Sequence, residues 1–178
     1  MPRKARPLSE VYRLLEPGPV VLVTTAGKER ANIMTMSWHM MMEFEPPLVG
    51  CIVSARNHTF DLLQASRECV INIPDVTLAK QVVGCGNTSG RKVDKFRRFG
   101  LTASASSRVG APRIDECYAN LECRVADSRM VARYNLFVLE VVRAWIDTSA
   151  RTPRTIHHAG MGLFVVDGDR IRFRSKMK

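Results

Sequence analysis

Along this chain the apolar positions gather into short β-branched runs punctuated by Gly, Pro, Asn and Asp, the pattern of strands and turns. Val20–Thr25 is one such run, closed by Ala26-Gly27-Lys28, and Asn32–Trp38 reads as the return strand of a hairpin. Leu48–Ser54 follows Pro46-Pro47, a pair that blocks helix and favours extended chain just before it. Glu68–Ile73 is closed by Pro74, and further strands read at Ala119–Ala126, Asn135–Ile146, Gly162–Val166 and Arg170–Arg174, the last two joined by Asp167-Gly168-Asp169. Helical periodicity comes only in short pieces. Thr59–Ala65 follows Asn57 as a cap, Leu78–Val83 follows Asp75 and Thr77, Val93–Phe99 stops at Gly100, and Ser9–Leu15 stands at the start. Ala103–Ser107 reads as a loop. Many short strands with few short helices predict a mainly β fold, a single antiparallel barrel with helical decorations. A doubly wound parallel sheet needs regular strand–helix alternation, which is missing.

Composition narrows this further. The 178 residues suit one domain with a core of its own. No run approaches the ~20 apolar residues of a membrane span, and the basic N-terminus MPRKARP is followed by no apolar segment, so neither a membrane protein nor a secreted one is expected. The five cysteines (Cys51, Cys69, Cys85, Cys117, Cys123) are odd in number and form no CxxC pair, which predicts reduced thiols in a cytoplasmic protein. Adjacent His157 and His158 point to opposite sides of an extended chain with no acidic or thiol cluster near them, so no metal site is expected. The net charge of +10 favours anionic partners. Seven Lys/Arg against the single acid Asp94 fall between Arg91 and Arg113, and the tail alternates Arg170, Arg172, Arg174, Lys176, Lys178. Such a tail discourages edge-to-edge pairing or faces a phosphate or a partner. Aromatics are too sparse among these cations for a nucleic-acid surface.

Three stretches carry candidate chemistry. In Thr35-Met36-Ser37-Trp38 the hydroxyls share one side of a strand end, able to hydrogen-bond a heteroaromatic ligand; a polar solvent face has the same pattern. In Ser54-Ala55-Arg56-Asn57-His58-Thr59 a strand ends and a helix begins, and helix N-termini hold phosphate; Asn57 as a simple cap satisfies the pattern too. Ser89–Phe96 clusters Arg91, Lys92 and Lys95 behind Gly84, Gly86 and Gly90. It lacks the GxxxxGK[ST] spacing of a phosphate loop, and a solvated basic loop explains it equally. No GxSxG elbow or HExxH is present, and no catalytic acid or base is assigned.

From about Gly18 to Phe173 the chain resembles the flavin reductase-like family of FMN-binding split barrels, nearest its flavoredoxin-type members. The carriers are PVVLVTT at 19–25, NIMTMSW at 32–38, EPPLVGCIVS at 45–54, HTFDLL at 58–63, CVINIP at 69–74 and SGRKVDKF at 89–96, then LECRV at 121–125, NLFVLEVVRAWID at 135–147 and HHAGMGLF at 157–164. The resemblance implies an antiparallel Greek-key split β-barrel over residues 18–178 behind an N-terminal extension of residues 1–17. It also implies a homodimer with FMN near the subunit interface. Carried onto this sequence, Asn32, Thr35, Met36, Ser37 and Trp38 lie along the flavin ring, and Ser54, Arg56, Asn57 and Thr59 serve its phosphate. Lys95 approaches the flavin or its phosphate, and Phe164 contacts the ring. NADH or NADPH is the implied electron donor, with a monooxygenase or redox protein as the acceptor; an FMN electron-transfer protein without direct NAD(P)H activity is the other reading. Tyr134-Asn135 departs from relatives that place a His before this strand, which leaves the role of Tyr134 open.

Overall fold

In the computed structural model, the strands deduced from apolar runs with β-branched residues are present, and those lacking such a run are the ones the sequence concealed. The structure describes residues 18–149, 153–169, 171, 173 and 174. The N-terminal extension 1–17, with the helix expected at Ser9–Leu15, lies outside the described residues.

The strands are β1 (Val21–Thr25), β2 (Asn32–Met36), β3 (His39–Glu43), β4 (Leu48–Ile52), β5 (Glu68–Ile73), β6 (Ala103–Ser104), β7 (Arg113–Ile114), β8 (Ala119–Asp127), β9 (Leu136–Ile146), β10 (Ile156–Gly160) and β11 (Leu163–Val166). Among the described residues four short helices accompany them: α1 (His58–Ser66), α2 (Ala79–Gly86, entered through a 3-10 turn at Val76–Leu78), α3 (Lys95–Phe99) and α4 (Val131–Tyr134). Seven strands form one antiparallel sheet in the order β2-β1-β5-β8-β9-β4-β3, curled into a half-barrel. Its two edges, β2 and β3, are consecutive in sequence and joined by the Ser37–Trp38 turn, where His39 N donates to Ser37 O at 3.0 Å. The mainly β antiparallel expectation holds.

Four strands escaped the pattern, the two-residue β6 and β7 and the longer β3 and β10. β3 is an edge strand whose HMMME is exposed at four of five positions, so it shows no burial alternation and no β-branched residue. β10, IHHAG, hides its strand character behind two histidines and a glycine. It, not Arg170–Arg174, is the hairpin partner of β11, through a turn in which Gly160, Met161 and Gly162 all take positive φ. Arg170 and Arg172 lie outside the described residues, and Ile171, Phe173 and Arg174 are not in a strand. The Ala103–Ser107 loop contributes its first two residues to β6.

Alternation along β1 divides the interior in two. Val21 and Val23 face a core with Met36, Val49, Cys51, Leu63, Phe137 and Leu139, inside the half-barrel under α1. Val20 and Leu22 face a second core with Ile33, Leu78, Val82, Cys85, Ile114 and Ile156, under α2, α3 and the β10–β11 hairpin. With apolar neighbours on both faces, β1 is buried at every position, which is why it reads as a continuous apolar run. Helix ends follow the expected chemistry: Asp94 accepts from Arg97 N at 3.1 Å to start α3, and Gly100 at φ 62 ends it. All five cysteines are free and buried.

The segment between β6 and β7 is strapped onto the outer sheet face by carboxylates. Glu122 of β8, fully buried, accepts from Ser107 N at 3.0 Å, Arg108 N at 2.6 Å and Trp145 Nε1 at 2.6 Å, while Glu68 accepts from Gly110 N at 2.8 Å. Burial pushes the Glu122 carboxyl up, but the donors outweigh it and hold it below its ordinary value. A depressed carboxylate contributes stability that is complete above the unfolded value and is lost as pH falls through the folded one. Glu122→Gln is therefore expected to cost roughly 1–3 kcal/mol at neutral pH. The gap to wild type should narrow as pH drops below about 4.3, the unperturbed value, in denaturant midpoints taken across pH. A gap that does not change with pH would show that the carboxylate charge is irrelevant to the strap.

Candidate functional site

A cleft of about 260 Å³ opens where three pieces of chain meet: the body of β2, the turn into α1, and the segment Cys85–Gly90 that leaves α2. Each piece is where it is for a local reason. β2 ends the sheet, so one side of Asn32 to Thr35 has no strand beside it. The chain leaves β4 at Val53, turns at Ser54 to Asn57 and starts α1. Glycines let the Cys85–Gly90 segment lie against β2: a Cβ on Gly90 would stand 1.8 Å from Asn32 Oδ1, and one on Gly86 would touch Thr35 at 3.4 Å.

The side chains that converge there are Asn32, Thr35, Arg56, Asn57, Thr59 and Lys95, joined by Met34, His58, Asn87, Thr88 and Ser89. Asn32 and Thr59 are buried, and Asn32 Nδ2 donates to Thr59 Oγ1 at 2.8 Å. The other amide atom, Asn32 Oδ1, is buried with no hydrogen-bond partner. Lys95, the first residue of α3, is 5% exposed; its Nζ donates to Ile33 O at 2.6 Å and Cys85 O at 2.7 Å. An ammonium has three donors, so one remains for the cleft. Burial lowers the Lys95 pKa. Asn57 occupies the position before α1 but does not cap it: its side chain makes no capping bond and its Nδ2 faces Met34 Sδ at 3.5 Å. The start of α1 is thus left without a side-chain cap, its N–H groups and positive dipole end turned to the cleft. No carboxylate lines the cleft among the described residues. Lys95, Arg56 and the start of α1, with no carboxylate beside them, suit an anion.

Two neighbouring groups are electrically quiet. Burial, and then the Arg91 cation, lower the His58 pKa, so the imidazole is neutral at neutral pH. Burial pushes the Cys85 thiol up to about 11, with Lys95 pulling weakly the other way, so Cys85 stays a thiol and no thiolate nucleophile is on offer.

Five expected residues fall elsewhere. Met36 is in the half-barrel core; Ser37 and Trp38 form the β2–β3 turn beyond the cleft, Trp38 exposed; Ser54 is exposed, accepting from Arg56 N at 3.3 Å. Phe164 lies against the second core, its ring 5.4 Å from that of His158. Thr35 does line the cleft, but its hydroxyl proton is spent on Val82 O at 2.6 Å, which leaves its oxygen only as an acceptor. The part played by Asn87, Thr88 and Ser89 was signalled in sequence only by the glycines around them. That run lines the cleft without the spacing of a phosphate loop.

The sequence model of the flavin reductase like domain matches residues 13–162. The uncharacterized protein YddH of Escherichia coli is 33% identical over 178 residues, covering 92% of this chain and 94% of its own. Among solved structures, an FMN-binding domain of a flavin reductases-like enzyme from Shewanella baltica superposes with a TM-score of 0.83 at 25% identity, over 96% of this chain and 97% of that one. The flavoredoxin of Desulfovibrio vulgaris superposes with a TM-score of 0.85 over 99% and 98%; at 21% identity it shares the fold.

Proposed function

The chain belongs to the flavin reductase-like domain family, and on that premise we propose that it is an FMN-binding oxidoreductase which takes hydride from NADH or NADPH and passes electrons onward. The acceptor is free flavin serving a partner monooxygenase, or a redox protein. The observation that carries this reading is the anion-seeking cleft at the uncapped start of α1, with the buried Lys95 ammonium in its lining.

The residues present fit FMN. Thr59, Arg56, Asn57 and the first N–H groups of α1 hold the phosphate, and Lys95 adds a charged donor whose direction is set by two backbone carbonyls. Asn32 keeps the Thr59 hydroxyl in place. Thr35, the last residue of β2 to line the cleft, faces the flavin ring and offers an acceptor to a ring N–H. When bound, FMN supplies the hydride-accepting centre, and the protein supplies orientation and electrostatics. No side chain of the cleft is assigned as acid or base.

A second copy of the chain covers the apolar side of β3 in this reading. Trp38, Met40, Met41, Met42 and Phe44 are all exposed in and around that edge, Phe44 at 84%. Sedimentation showing a monomer at micromolar concentration would remove that part.

The test is direct. FMN added to the apoprotein is expected to bind, with its fluorescence changed, and anaerobic NADH or NADPH is expected to bleach its absorbance. Absence of FMN binding sinks the reading. Tight FMN binding without bleaching selects the second one, an FMN electron-transfer protein without direct NAD(P)H activity. Gly90→Ala is expected to push Asn32 away from Thr59 and weaken FMN about tenfold or more, a cost of about 1.4 kcal/mol. Unchanged FMN affinity would mean that Asn32 does not organise the site.

A further inference from the structure

By period two, β9 would send Arg143 and Trp145 to the same side as Val141, which packs against the half-barrel core. The strand does not keep that count. Its register against β8 shifts between Glu122 and Cys123, so that Cys123 stands opposite Val141 and Glu122 opposite Arg143, with Val142 as the extra residue. This bulge turns Arg143 and Trp145 over to the outer sheet face, where Trp145 Nε1 reaches Glu122.

There the indole gathers two cations. The Arg143 guanidinium lies 4.6 Å from the ring centroid, and that of Arg113, brought over by β7, lies 4.8 Å from it. Among the described residues neither guanidinium is in a salt bridge, and Arg113 Nε is buried with no hydrogen-bond partner. The acids of this region are engaged elsewhere. Glu122 is held by the strap and the indole, Glu68 pairs with Arg124 at 3.3 Å, Asp115 accepts from Ser104 Oγ at 2.6 Å and Asp147 accepts from Ser149 N at 2.8 Å. A guanidinium stacked on an aromatic ring is fixed in direction while its N–H edge stays free, and that edge matches a carboxylate. Trp145 is half-buried and Arg143 is exposed, so the group lies at the surface.

We propose that the face formed by Arg113, Trp145 and Arg143 docks the carboxylates of an acidic protein. A single exposed ion pair contributes little and is screened by salt, so one small anion gains little here. A polypeptide that brings several carboxylates at once gains at each of them, against a chain of net charge +10. Trp and Arg are also the side chains that most often dominate protein interfaces. Neither arginine lines the flavin cleft, so this docking stands independently of the function proposed above.

The experiment titrates the full chain with fluorescein-labelled hexaglutamate at low ionic strength, read by anisotropy, for wild type, Arg143→Gln and Arg133→Gln. Arg133 is the control, an exposed arginine on α4 that stacks on a different ring, Tyr134, at 5.2 Å. Arg143→Gln is expected to weaken the peptide about fivefold or more and Arg133→Gln less than about twofold, both leaving FMN affinity unchanged. In a Trp38→Phe background Trp145 is the remaining indole, and its emission is expected to shift as unlabelled peptide binds. Equal weakening by the two arginine changes, a silent Trp145, or no saturable peptide binding overturns the proposal. Displacement of the peptide by inorganic phosphate at equal charge also overturns it, by showing a simple anion site. Tighter binding of an oligothymidylate of equal charge overturns it as well, by assigning the face to nucleic acid.

Discussion

Lys95→Met is expected to reduce FMN affinity by about 10- to 150-fold, the equivalent of the roughly 1.5–3 kcal/mol that a hydrogen bond to a charged group is worth. The residue is nearly the same length, so packing at the start of α3 is kept while the ammonium is lost. The discriminating measurement is riboflavin, which has the ring and ribityl chain without the phosphate. If Lys95 faces the phosphate, riboflavin affinity changes little while FMN affinity collapses. Equal losses for both ligands would place Lys95 at the ring or show a general disturbance of the cleft. Some destabilisation will accompany the change, because Ile33 O and Cys85 O lose a charged donor at a buried site. Thr59→Ala, which removes a hydroxyl and strands the Asn32 amide, should move FMN affinity in the same direction by a smaller factor.

Asn72→Leu is expected to be the most damaging single change to the fold, at about 3–4 kcal/mol, since several buried groups lose partners costing roughly 1–3 kcal/mol each. Asn72 is fully buried in β5 and serves four strands at once. Its Nδ2 donates to Leu22 O at 2.9 Å, Val70 O at 3.1 Å and Thr24 Oγ1 at 3.3 Å. Its Oδ1 accepts from Ile114 N and Asn120 Nδ2, both at 2.9 Å. Leucine has similar bulk and answers none of these. Denaturant unfolding would read the loss; a change below about 1 kcal/mol would mean that water or backbone shifts re-satisfy the network, which the low dielectric of a buried site makes expensive.

How far the molecule could be read from its sequence depends on how local each signal is. β1, β4, β5, β8 and β9 are central strands whose neighbours bury them, so their runs of Val, Ile and Leu announce them. β3 is an edge with most of its side chains in solvent, and neither alternation nor β-branching marks it. The stop at Gly100 is nearest-neighbour chemistry and was legible, whereas the cap at Asp94 falls inside the helix expected over Val93–Phe99. Asn57 had the right type and place for a cap, yet its side chain turns towards Met34, a residue 23 positions away that no local rule could supply. Thr35 and Ser37 share a parity, and only one of them lines the cleft, because the sheet ends between them and the chain turns.

By itself the sequence determined that the chain is a mainly antiparallel β protein with short helices, that its thiols are scattered without metal spacing, and that polar residues cluster at Asn32–Ser37, Ser54–Thr59 and Ser89–Lys95. Those are properties of composition and of periods two and 3.6, which act over a few residues. Only the tertiary structure decided that Asn32, Thr59 and Lys95 meet: they are 27 and 36 positions apart along the chain and come together because β2 is left without a neighbour on one side. It also decided that the glycines of Cys85–Gly90 exist to let that segment lie on β2. Local pattern carries no information about which distant surfaces will close on one another; that is settled when burial of both faces of β1 forces the helices and the sheet to share a single packing.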